Sequence, residues 1–108
     1  MLKRTELTIE QLETFEERLC VRLEGLYASI SENNYITLNG ELHSIDRIKL
    51  EQSIKLMISA HDTSGRIIGT ADKLISAKFF HNFEIFSVVF QVQSKSVSRV
   101  RIYPRQSD

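Results

Sequence analysis

Residues 35–43 read Tyr-Ile-Thr-Leu-Asn-Gly-Glu-Leu-His, and the fold turns on how this stretch is read. Ile36, Leu38, Gly40 and Leu42 alternate with Tyr35, Thr37, Asn39, Glu41 and His43, which sends one set to a buried face and the other to water. Asn39-Gly40 is also a two-residue hairpin dipeptide. The alternation passes through the pair without a change of phase, which favours one uninterrupted strand. Gly40 then leaves room for a neighbouring side chain against its bare backbone.

The same period extends outward on both sides. Upstream, Val21 and Leu23 share a face with Leu26, Ala28 and Ile30 after a slip at Glu24-Gly25, as a β-bulge requires. Ser31-Glu32-Asn33-Asn34 is a turn in which either Asn can take positive φ. Downstream, residues 44–51 form an irregular connector. Ile54, Leu56, Ile58 and Ala60 then alternate with Lys55, Met57, Ser59 and His61. Asp62-Thr63-Ser64-Gly65 is a hairpin turn, with residues 67–74 as the return strand. Phe79 and Phe80 plug the next connection. Phe86, Val88, Phe90 and Val92 make one face of the following strand, and Ile85 and Val89 lie on the other. Apolarity on both faces marks it as the most buried strand, central or covered by a helix or another subunit. Val100 and Ile102 alternate with Arg99, Arg101 and Tyr103, and Pro104 closes that strand.

Before residue 20 the period is helical. Ile9, Leu12, Phe15 and Leu19 share a face, while Glu10, Glu13, Glu16 and Glu17 point outward. Thr8 and Gln11 stand at capping-box spacing, with Leu7 and Leu12 as a hydrophobic staple. The expected helix covers about 9–19. The expected strands cover about 20–31, 34–44, 52–62, 66–74, 83–93 and 97–103. Together they make residues 1–108 a single, mainly β domain: an antiparallel β-sandwich of about six strands with one N-terminal α-helix. Parallel α/β architecture is excluded, since its crossovers need a dozen or more residues each. Ile36, Leu38, Leu42, Ile54, Leu56, Ile58, Phe86, Val88 and Phe90 are the expected core.

The segments ITLNGEL, SIKLMISAHDTSGRII and FEIFSVVFQV, within residues 35–92, resemble the bacterial FxLYD-type domains, small sandwiches related in layout to fibronectin type III. Ala60-His61-Asp62 and His81-Asn82 depart from the residues usual in that family. The resemblance implies an architecture and no catalytic residue.

Composition narrows the function classes. Hydrophobic residues make up 42% and charged ones 26%, and 14 basic residues balance 14 acidic ones. Zero net charge speaks against a chain built to coat nucleic acid. The single cysteine excludes an internal disulfide and a Cys-rich zinc site. No apolar run suits a membrane span, and the opening MLKRTELTIEQ has no apolar signal-peptide stretch, so a cytoplasmic chain is expected. His43, His61 and His81 fall on polar faces or in turns without paired-ligand spacing, so exposed histidines and no metal are expected. His61 and Asp62 are adjacent on a strand and point to opposite faces, a poor base and orienting carboxylate. Cys20 reads as a buried structural cysteine. No glycine-rich phosphate loop or nucleophile elbow occurs, so neither a cofactor nor enzymatic activity is expected.

Charge is asymmetric along the chain. Residues 1–54 carry ten acidic and six basic side chains, and residues 55–108 carry four and eight. The expected function is a non-enzymatic protein-interaction or scaffold module, self-associating or bound to another protein. Its candidate surface is Ile85, Val89, Lys95, Arg99, Arg101, Tyr103 and Arg105. Ile85 and Val89 need cover, either from the helix folded back as a lid or from a second subunit in a two-fold dimer. The alternative is a small-ligand or nucleic-acid binding domain using the basic last strand. That strand lacks exposed aromatics beyond Tyr103 for stacking bases. Its simplest role is a solvated edge that arginines protect from aggregation.

Overall fold

A computed structural model describes residues 4–45 and 49–107. Its elements in chain order are β1 (Arg4–Leu7), β2 (Ile9–Gln11), α1 (Glu13–Arg18), β3 (Val21–Ser31), β4 (Tyr35–Ser44), β5 (Ile54–Asp62), β6 (Ile67–Ile75), β7 (Phe83–Gln91) and β8 (Val97–Gln106). They form two four-stranded sheets, a first of order β1-β3-β4-β7 and a second of order β2-β8-β5-β6. The hairpin β3–β4 is followed by a crossing to the second sheet for the hairpin β5–β6. The chain then returns to set β7 beside β4 and crosses again to set β8 beside β5. Among the described residues every long pairing is antiparallel, and the short β2–β8 pair alone is parallel.

Local chemistry fixes the register. Gly25 takes φ +61° where the β3–β4 pairing shifts between Glu24 and Tyr27, and Asn34 takes φ 64° in the following turn. Asp62 Oδ1 accepts hydrogen bonds from the amides of Ser64 and Arg66, both at 2.9 Å, and Gly65 supplies positive φ to close the β5–β6 hairpin. All nine expected core residues are buried between the sheets, joined by Val21, Leu23, Ala28, Val100 and Ile102. Gly40 lies inside β4 directly opposite Phe86, whose ring and the Leu26 side chain fill the space a Cβ would take.

The N-terminal segment departs from the helical reading. β1 pairs with β3 (Thr5↔Ile30) and β2 pairs with β8 (Ile9↔Val100), leaving a helix of only six residues. Backbone pairing along the edges of both sheets outweighs a short isolated helix, which is marginal in water. No capping box forms: Leu12 is the N-cap without a side-chain bond, and the Thr8 carbonyl instead accepts from the Val100 amide at 2.9 Å. Glu16, expected outward, is buried. Its Oε1 accepts from the Leu23 amide at 2.9 Å and its Oε2 from Gln11 Nε2 at 3.1 Å, tying α1 to β3.

Three strand readings change as well. β8 is an interior strand between β2 and β5, so its arginines protect no edge. β8 also runs through Pro104, which is buried opposite Leu56. The Ser107 amide bonds the Ser53 carbonyl, which makes odd residues of β8 the ones bonded to β5. The missing N–H of Pro104 therefore points to the other side, past the end of β2, where no ladder bond is lost. β7 is not central: it is an edge of the first sheet, and its outward side chains are uncovered. Phe80 plugs the core as expected, whereas Phe79 is exposed. Residues 46–48 of the 44–51 connector lie outside the described residues.

Candidate functional site

The seven candidate surface residues divide among three places: the outer face of β8, a groove beside β1, and β7. On β8 the alternation Val100, Ile102, Pro104 faces the core, which sends Arg99, Arg101, Tyr103 and Arg105 to the outer face of the second sheet. Glu10 of β2 lies alongside. Its Oε1 accepts from Arg101 Nε at 2.7 Å and from Arg99 Nε at 3.2 Å. The Arg101 hydrogen bond is the main cause holding the Glu10 carboxyl below its ordinary 4.5, against a smaller opposing effect of desolvation. The two arginines that gave β8 its basic character are thus partnered by one carboxylate. The Tyr103 ring packs tilted at 41° against Phe15 of α1 with centroids 5.0 Å apart, and the Arg18 guanidinium sits 5.5 Å from the Phe15 ring. Arg105 lies directly opposite Lys55 of β5, a like-charged cross-strand pair. Lys95 belongs to neither face of the sheet; it lines an open groove beside β1 with Thr5, Glu6, Glu32 and Val97.

Ile85 and Val89 are on β7, in the other sheet. They are 69% and 61% exposed, and Phe83 in the same outward row is 44% exposed. α1 packs on β3 and β8 and does not reach them, so the intramolecular lid is overturned. The register fixes which backbone groups are free. Val92 N bonds Asn34 O, and Ser44 N bonds Asn82 O, in phase with the pairs Ile36↔Phe90 and Gly40↔Phe86. Even-numbered residues of β7 therefore exchange hydrogen bonds with β4. The amides and carbonyls of Ile85, Ser87 and Val89 point to the side on which no described strand pairs. Among the described residues the far end is closed by β6, where Gln93 N bonds Ile68 O and Gly69 packs tightly against the Gln91 carbonyl and Val92.

The candidate chemical groups are dispersed. His61 is buried, not exposed: its Nδ1–H donates to Gly65 O (3.2 Å), and Ser59 Oγ–H donates to its Nε2 (2.8 Å). The carbonyl can only accept, and that assigns the tautomer. Asp62 turns the other way to cap its hairpin. His43 stacks on Phe83 with centroids 5.2 Å apart and meets Glu41 Oε1 at 2.8 Å. Cys20, expected buried, is exposed at φ 56° just after α1. Among the described residues, no three His, Cys, Asp or Glu side chains converge in a metal-binding group. Likewise, no helix among them is long and apolar enough to cross a membrane.

The sequence pattern missed Glu10 as the partner of the β8 arginines, because it read that segment as a helix. The available signal was the pair of arginines two residues apart, Arg99 and Arg101, facing one sheet surface and requiring a counter-charge. Tyr27, 45% exposed on the outer face of the first sheet, also escaped notice, and Tyr35, read as facing water, was not weighed as part of a surface.

Fold and surfaces together define a two-sheet, mainly β protein in which, among the described residues, the β7 edge presents uncovered apolar side chains. In comparison with known proteins, the chain matches no family model, no curated protein and no solved structure.

Proposed function

We propose that the chain is a non-enzymatic protein-interaction module that self-associates, with β7 as its docking element. The observation that carries this reading is the exposure of Ile85 and Val89 on a strand whose backbone edge is also free. Contiguous exposed apolar side chains and unpaired strand groups together mark an interaction surface. The FxLYD-type resemblance belongs to the proposal for architecture alone.

The ligand-binding alternative through β8 is weakened by Glu10, which already engages Arg99 and Arg101. Sedimentation across micromolar concentrations tests the reading. A mass rising above the 12.5 kDa of one chain supports it, and a single 12.5 kDa species throughout overturns it.

A further inference from the structure

We propose that two copies pair through β7, antiparallel about a two-fold axis at Ser87, so that their first sheets join into one continuous sheet. This deepens the self-association reading above and rests on it.

Four strands form the sheet edges, and three carry devices that discourage pairing. β1 and β2 are four and three residues long. β6 spans nine residues, but its outward row Thr70, Asp72, Leu74 includes a charge, and Lys73, opposite the buried Leu56, projects a second charge toward the inner side. Short edges, charges and inward-pointing lysines are the usual protections against edge-to-edge association. β7 also spans nine residues, and its outward row Phe83, Ile85, Ser87, Val89, Gln91 has no charge and no proline. Its one charged residue, Glu84, stands opposite the buried Leu42 and so projects inward like Lys73, but it lies near the start of the strand, outside the Ile85–Val89 stretch.

The same row is self-complementary. With the axis at Ser87, Ile85 faces Val89 of the second copy, Ser87 faces Ser87, and Val89 faces Ile85. Each of these is an odd–odd pair, and odd residues carry the free backbone groups, so each pair can exchange two hydrogen bonds. Side-chain matching and backbone phase therefore select one register. A two-fold interface closes on itself, whereas β7 on β6 of a second copy would continue without limit. The contact of β6 with Val92 and Gln93 confines the pairing to the lower part of β7, where Ile85, Ser87 and Val89 lie.

The test uses the full chain with Cys20→Ser, which removes the exposed thiol. In the proposed register the two Ser87 Cα atoms lie about 5.5 Å apart, within disulfide reach. The two Ile85 sites are about 13 Å apart along the strands. Mild oxidation of Ser87→Cys is expected to give a covalent dimer. Ile85→Cys and Val89→Cys chains should each link poorly alone and well when mixed. Val89→Lys, at an exposed position, is expected to keep the circular dichroism spectrum and weaken association at least tenfold. If the protein sediments as a dimer but Ser87→Cys does not cross-link, or Val89→Lys still dimerises as before, the β7 register is overturned while self-association stands. Species growing beyond the dimer overturn the two-fold closure. A monomer at every concentration overturns both readings.

Discussion

Gly40 shows how a single residue couples the register of the first sheet to its core. A Cβ there would stand 2.5 Å from Leu26 Cδ2 and 2.8 Å from Phe86 Cζ. Leu26 is a half-buried chain end and can shift, but Phe86 is a buried ring held opposite in the ladder. Gly40→Ala is therefore expected to destabilise the protein by about 1–3 kcal/mol through overpacking, read from the urea midpoint at unchanged slope. Glu16 works by a different principle. Its buried carboxylate is the acceptor for the Leu23 amide. Glu16→Ala strands that donor, at a cost of about 1–3 kcal/mol, while Glu16→Gln keeps an oxygen in place and should lose less. Equal losses in the two variants would show that the hydrogen bond is not what matters there. Leu56 and Phe90, both buried, are simple cavity sites, and truncation of either to alanine should cost about 2–5 kcal/mol in the same melts.

At the scale of elements, the long strands were legible and the N-terminal segment was not. From Val21 onward each strand spans nine or more residues, long enough for β4, β5, β7 and β8 to show their alternation, and bulge and turn residues marked the changes of phase in β3 and after β5. The spacing of Ile9, Leu12, Phe15 and Leu19 is helical on paper, yet three- and four-residue strands are too short to show a period of their own. Ile9 serves equally well as a half-buried strand residue beside Val100. Strand neighbours are a tertiary fact, which is why β7 read as the most buried strand with its position left open between central and covered: apolarity on both faces shows that both are greasy, not what covers them. The β2–β8 clamp yields a pH prediction. Glu10 has its folded-state pKa lowered, chiefly by Arg101. Its contribution to stability is fully present above its ordinary 4.5 and is lost as pH falls through the lower folded value. Thermal melts on the acid limb at low salt should show a steeper decline for the natural chain than for Glu10→Gln. The difference should shrink as salt is added, because Glu10 is 38% exposed and screened.

Across the whole molecule, the two sheets are not symmetric in what they leave open. The second sheet ends in a protected β6 on one side and a short β2 on the other, whereas the first ends in β7. Where β7 approaches β6, Gly69 admits Val92 to a 2.7 Å distance from its would-be Cβ and Gln93 bonds Ile68, so that corner of the sandwich is pinned. Away from the corner the edge is bare, and amide hydrogen exchange can read it residue by residue. The ladder phase gives Phe86, Val88 and Phe90 amides that bond β4, and Ile85, Ser87 and Val89 amides that bond nothing within the described chain. In dilute solution the even amides should exchange slowly, at rates set by global opening, and the odd ones quickly. Raising the concentration through the association range should slow Ile85, Ser87 and Val89 while leaving the even amides nearly unchanged, because only edge addition supplies acceptors to that row. Association by side chains alone, face against face, would bury Ile85 and Val89 without adding a ladder, and would leave the odd amides exchanging through solvent at the rim. Slow odd amides in the dilute monomer would instead mean that β7 has a neighbour within its own chain.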